Sequence, residues 1–116
     1  SPESTMVALE TLPGPIILLV GGYDKNLPMN VLADTIVKKA RVVVTYGRTG
    51  PRIADLIGDQ GPTVIREEGF ESALRCAHEN ASVGDTVLLS PACASYDLFR
   101  NFAERGDQFR SWVSGL

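Results

Sequence analysis

The sequence predicts an α/β protein built on a mostly parallel sheet with helices on both faces. Two observations carry that prediction. Short β-rich runs alternate several times with helix-length patterns along 116 residues, and such alternation calls for crossover connections and parallel strands. The strongest runs are also continuously apolar and lack the in-out alternation of a half-exposed strand, as expected where both faces are covered.

The elements follow in order. Ser4 to Leu12 reads as an opening helix stopped by Pro13-Gly14. The first strand is Pro15 to Val20, ending at Gly21-Gly22. Leu32, Ala33, Ile36, Val37 and Ala40 then recur at three- and four-residue steps, which marks a helix. Arg41 to Tyr46 is the second strand, closed by Gly47, and Ile53, Leu56 and Ile57 mark the next helix. A weaker strand at Thr63 to Ile65 leads to a helix carrying Phe70, Ala73, Leu74 and Ala77. Gly84-Asp85 introduces a fourth strand, Thr86 to Leu89, ending at Ser90-Pro91. Beyond it, Phe99, Phe102 and Ala103, then Phe109, Trp112 and Val113 after Gly106, repeat at helical spacing. Phe99, Phe109 and Trp112 are therefore expected in the core. Together these elements make one Rossmann-like, doubly wound domain of three layers, α/β/α, over residues 1–116.

Composition narrows the function classes. A hydrophobic fraction of 44% and a charged fraction of 22% are ordinary for a soluble globular chain. The net charge of −3 and the scattered Lys and Arg residues argue against a nucleic-acid or membrane-surface partner. The apolar run Ile16 to Val20 is far too short to cross a bilayer, and no signal-peptide pattern opens the chain. Cys76 and Cys93 fall in different elements without metal-type spacing, so two free thiols in a reducing cytoplasm are expected. His78 lies mid-helix with no cluster of ligating residues around it, and no metal site is expected in this chain.

In a doubly wound sheet, ligands sit beyond the carboxyl ends of the strands, where the strand order reverses. With the order 3-2-1-4, that crevice opens between the exits of the first and fourth strands. The first exit is Gly21-Gly22-Tyr23-Asp24-Lys25-Asn26, where two glycines allow a tight turn or close approach and Lys25 supplies a point charge. The second is Ser90-Pro91-Ala92-Cys93-Ala94-Ser95, where Ser95 precedes an amphipathic run as a plausible helix N-cap able to receive an anionic group. The crevice would suit an anionic small molecule. Gly-Gly also serves as a plain turn, Ser95 as a plain cap, and Asp24 and Asn26 as turn formers, so the residues alone leave both readings open. Tyr46 and Arg48 could form pocket wall or surface, and surface is the favoured reading. The sequence has no G-x-G-x-x-G after its first strand and no P-loop, which disfavours dinucleotide binding and self-contained ATP hydrolysis. It also lacks a Ser/His/Asp set placed for acyl transfer.

The segment from Leu88 to Phe109 carries more than pattern. It meets every fixed position of L-S-P-A-C-A-S-x-D-x-F-x-N-F-x-x-R-G-x-x-F, and so resembles the D-glutamate-adding Mur ligases. Leu18-Leu19-Val20-Gly21-Gly22-Tyr23-Asp24-Lys25 is similar to their glycine turn with its lysine, and Tyr46-Gly47-Arg48-Thr49-Gly50 to their F-G-x-x-G stretch. The resemblance runs from about Ser4 to the C-terminus and implies the third, amino-acid-bringing domain of a three-domain enzyme. A UDP-sugar domain and a central ATPase domain would lie outside this chain, together with the D-S-K-x-T segment expected before Ser1. It further implies a cytoplasmic peptidoglycan-precursor ligase. That enzyme would use ATP and Mg2+ to activate the carboxyl group of UDP-N-acetylmuramoyl-L-alanine as an acyl phosphate, which the amine of D-glutamate then attacks.

By the same resemblance, Lys25 and Ser95 hold the two carboxylates of D-glutamate, the backbone near Phe102 assists, and Tyr96, where relatives carry Leu, lines the pocket. No catalytic residue is expected within the chain, the isolated domain is expected to be inactive, and a monomer is expected. Two alternatives remain: a non-catalytic module that binds a small anion, and a Mur-type domain for another amino acid. The D-x-F-x-N-F extension opposes the second.

Overall fold

A computed structural model describes residues 2–23 and 28–90, and the backbone of 94–97. Nine elements follow one another: α1 (Pro2–Thr11), β1 (Ile16–Gly21), α2 (Asn30–Lys39), β2 (Ala40–Tyr46), α3 (Gly50–Ile57), β3 (Thr63–Arg66), α4 (Phe70–Asn80), β4 (Thr86–Ser90) and β5 (Ala94–Asp97). They form one five-stranded sheet in the order β3-β2-β1-β4-β5. The first four strands are mutually parallel, and β5 pairs antiparallel with β4.

The continuous apolar runs explain this arrangement. β1 is buried along all six residues because it is the middle strand and helices cover both of its faces. Its alternate side chains feed two separate cores. Ile16, Leu18 and Val20 join Val43 and Leu88 under α1, α2 and α3, through Leu9, Leu32, Ile36, Ile53 and Ile57. Ile17 and Leu19 join Val42, Val44, Val87 and Leu89 under α4, through Ala73, Leu74 and Ala77. Full burial of one such aliphatic side chain contributes roughly 1.5–3 kcal/mol, so the two-faced strand is the main anchor of the fold. Helix ends agree with the sequence: Pro51 occupies the first turn of α3, Lys38 and Lys39 the last turn of α2, and Glu71 the first turn of α4.

At the amino ends of the strands, the Asp85 carboxylate closes the turn before β4. It accepts hydrogen bonds from the Ser82 backbone N–H and the Arg41 guanidinium, each at 2.7 Å. These contacts tie β2 to β4 at the end of the sheet away from the crevice.

The doubly wound, three-layer reading therefore holds, with the expected order 3-2-1-4 extended by one strand. Ser95 departs from its expected place. It lies in β5 opposite Leu88, with Tyr96 opposite Val87, and does not cap a helix. The free edge of β4 explains the difference, because its unpaired backbone groups gain partners when the next segment folds back beside it. Lys25, Cys93, Phe99, Phe102, Phe109 and Trp112 lie outside the described residues. Among the described residues no helix is long and apolar enough to cross a membrane.

Candidate functional site

The carboxyl ends of β1 and β4 stand side by side, since Val20 pairs with Ser90 at the end of their shared ladder. This is where the strand order reverses: the chain leaves β1 toward β2 on one side, and β4 lies on the other. The two strand exits singled out in the sequence thus lie side by side.

Gly21 and Gly22 serve different needs there. A Cβ on Gly21 would fall on the Tyr46 carbonyl oxygen and within 3.0 Å of Tyr46 Cδ1. Gly21 therefore leaves room for the Tyr46 ring to cross the end of β1. Gly22 has φ 73°, a left-handed conformation that glycine adopts without strain. The chain turns there and presents Tyr23 inward.

Beyond that turn lies a cluster of buried hydroxyls. Thr5 Oγ1 is 2.6 Å from Tyr23 OH and 2.6 Å from Ser90 Oγ, and Tyr23 OH and Ser90 Oγ are also hydrogen-bonded. Three hydroxyls with three mutual contacts can close a ring in which each donates once and accepts once. All three residues are buried, Thr5 at 0% exposure, Ser90 at 1% and Tyr23 at 8%. The ring joins the first turns of α1, the exit of β1 and the last residue of β4.

Tyr46 reaches the same point from the other face. Its phenol donates to the Ser90 carbonyl oxygen at 3.1 Å, and its ring meets Phe70 edge-on with centroids 5.4 Å apart. Burial, and secondarily the nearby Tyr23 phenol, push its pKa above the ordinary 10.0. At neutral pH Tyr46 is accordingly a neutral donor. The expectation that Tyr46 lies on the surface is corrected: its ring is half-buried, because the empty place over Gly21 admits it.

Arg48 is exposed, as expected, and borders an open depression of about 330 Å³ with Thr45, Arg66, Glu67 and Glu68. Two cations and two carboxylates nearly cancel there, and Arg66 already pairs with Asp55 at 2.7 Å. This depression has no electrostatic bias toward an anion. Among the described residues no three His, Cys, Asp or Glu side chains group as a metal site.

Of the residues singled out for ligand binding, Lys25 and Phe102 lie outside the described residues, and Ser95 and Tyr96 are placed by backbone on β5. Sequence reasoning passed over Thr5, Tyr23 and Ser90. Ser90 and Tyr23 flank the two exit loops and could have been flagged by position, whereas Thr5 lies 85 residues from Ser90 and gave no local signal.

Comparison with known proteins adds a second line of observation. A family model described as Mur ligase, glutamate ligase domain, matches residues 1–93. The UDP-N-acetylmuramoylalanine--D-glutamate ligase of Symbiobacterium thermophilum is 44% identical over 119 residues, covering 100% of this chain and 26% of that protein. The proteins of the same name from Acetivibrio thermocellus and Caldanaerobacter subterraneus are 36% and 39% identical, covering 100% of this chain and 27% and 26% of their own lengths. The chain spans about a quarter of the length of the curated relatives it matches.

Proposed function

Because the chain belongs to the Mur ligase C-terminal family, as a glutamate ligase domain, we propose that it is the amino-acid-binding part of an ATP-dependent ligase. That ligase joins D-glutamate to UDP-N-acetylmuramoyl-L-alanine and forms an amide, ADP and phosphate. The observation that carries the reading is similarity over the whole chain, at 36–44% identity, to ligases that bear D-glutamate in their names. The position of the crevice supports it, since a doubly wound sheet offers its ligand site at this point.

In this reading the chain's own residues bind and orient the amino acid. Lys25, two residues after Tyr23 in the sequence, is assigned to pair with one carboxylate of D-glutamate. Ser95 is assigned to the other carboxylate, and Tyr96 and the Phe102 backbone to the same pocket, on the motif they share with the family. Holding a dianionic amino acid by both carboxylates leaves its amine free to attack an acyl phosphate. Most of the acceleration from such an arrangement is positional. The described residues gather no donor set for Mg2+, and ATP and Mg2+ are assigned to the parts of the ligase beyond this chain.

The test is ADP release by the full-length ligase in the presence of UDP-N-acetylmuramoyl-L-alanine and single amino acids. D-glutamate should drive ADP release, and L-glutamate and D-alanine should not. The chain on its own should release none. Turnover with another amino acid in preference to D-glutamate would overturn the assignment.

A further inference from the structure

We propose that Thr5, Tyr23 and Ser90, with Tyr46, form a positioning clamp that sets the two strand exits of the amino-acid site against each other. The inference rests on the D-glutamate reading above and extends it to residues which that reading leaves without a role.

The clamp holds Ser90 from both faces of the sheet. On the face covered by α1, the Ser90 hydroxyl bonds to Thr5 and Tyr23. On the face covered by α4, the Ser90 carbonyl oxygen accepts from Tyr46. Ser90 is the last residue of β4, and its carbonyl belongs to the peptide bond with Pro91. Fixing both groups fixes the direction in which the chain leaves the strand. Tyr23 is correspondingly the second residue after β1, and its ring anchors the start of the segment that carries Lys25.

Packing alone does not call for hydroxyls here. Valine, phenylalanine and alanine would fill the places of Thr5, Tyr23 and Ser90 with no polar atom to satisfy. An apolar contact tolerates sliding, whereas a closed ring of hydroxyls, with Thr5 2.6 Å from both partners, sets separation and direction together. A site that must hold two carboxylates at once depends on the spacing of its two sides, because small misplacements of reacting groups cost rate steeply. The clamp supplies that spacing from beneath, without touching the substrate. These four are positioning residues.

The experiment compares Tyr23→Phe, Ser90→Ala, Thr5→Val and Thr5→Ser in the full-length ligase, with KM measured separately for D-glutamate, ATP and the UDP substrate. Loss of one hydroxyl should raise the KM for D-glutamate roughly three- to tenfold, the range for one hydrogen bond, and leave the other two KM values within about twofold. Thr5→Ser keeps the hydroxyl and should stay near wild type, which separates positioning from side-chain volume and serves if Tyr23→Phe fails to fold. Equal rises in all three KM values, or a lowered melting temperature with unchanged KM for D-glutamate, would overturn the clamp. If the wild-type ligase uses no D-glutamate, the functional reading fails. The clamp is then judged by amide hydrogen exchange at Tyr23 and Ser90 in Thr5→Val. Faster exchange at both, with Val43 unchanged, supports it, and unchanged exchange refutes it.

Discussion

Replacing Gly21 by alanine is the most severe small change that the geometry of the crevice allows. The added methyl would fall on the Tyr46 carbonyl oxygen and lie 3.0 Å from both the Tyr46 carbonyl carbon and Cδ1. Comfortable carbon–carbon contact begins near 3.5 Å. Neither partner can yield cheaply: one is backbone in the β1–β2 ladder, where Gly21 pairs with Tyr46, and the other is a ring held by Phe70 and the Ser90 carbonyl. Overpacking of this kind costs about 1–3 kcal/mol. Displacing the Tyr46 phenol from Ser90 adds about 0.5–1.5 kcal/mol. Gly21→Ala should therefore lower stability by about 1.5–4.5 kcal/mol in urea unfolding of this chain, read as a shifted midpoint at constant slope. Gly69→Ala is the control. A Cβ there meets nothing within 4 Å, and its effect should stay within about 0.5 kcal/mol. If Gly21→Ala proves as mild as Gly69→Ala, Tyr46 does not cross the end of β1, and the upper half of the clamp is wrong.

Four further substitutions probe the scaffold. Thr45 Oγ1 is buried without a hydrogen-bond partner, so Thr45→Val should stabilise the chain by about 1 kcal/mol; a loss would show that the hydroxyl is satisfied. Asp85→Ala should cost about 2 kcal/mol, because the carboxylate closes a backbone turn as well as pairing with Arg41. Arg41→Ala should cost less than about 1 kcal/mol, since its side chain is 47% exposed, and a reversal of that order in chemical denaturation would contradict the assignment. Tyr46 has its pKa raised in the folded state, so its contribution is fully present below about pH 10 and is lost as pH rises through the folded value. Stability of the wild type should then fall more steeply above about pH 10 than that of Tyr46→Phe, and parallel curves would place the phenol in water.

The parts of the fold legible in the sequence are those set by local pattern. Continuous apolar runs marked β1, β2 and β4 because strands buried on both faces need apolar side chains in both directions. Three- and four-residue spacing marked the helices, and glycine and proline marked the end of α1 and the exits of β1, β2 and β4 within a residue or two. β5 was not legible, since Ala-Ser-Tyr-Asp has no strand pattern of its own and its pairing depends on the free edge of β4. The site divided along the same line. The meeting of two strand exits at the candidate site followed from strand order, which alternation of elements predicts. The floor of the site did not, because Thr5, Tyr23 and Ser90 are small or amphipathic residues that read as turn and cap formers and meet only in three dimensions. Tyr46 was misread as surface for a related reason. What buries it is the missing side chain of Gly21 on the neighbouring strand, a vacancy that only register reveals.

The central claim is that this domain holds D-glutamate through the exit of β1, and Lys25→Ala in the full-length ligase tests it most directly. Loss of a desolvated, charge-assisted bond should cost roughly 1.5–3 kcal/mol, or about tenfold to a few hundredfold in kcat/KM for D-glutamate. The KM values for ATP and UDP-N-acetylmuramoyl-L-alanine should barely change. A solvated turn lysine would matter by less than about 1 kcal/mol. Small and equal changes in all three KM values would therefore remove Lys25 from the site and contradict the account.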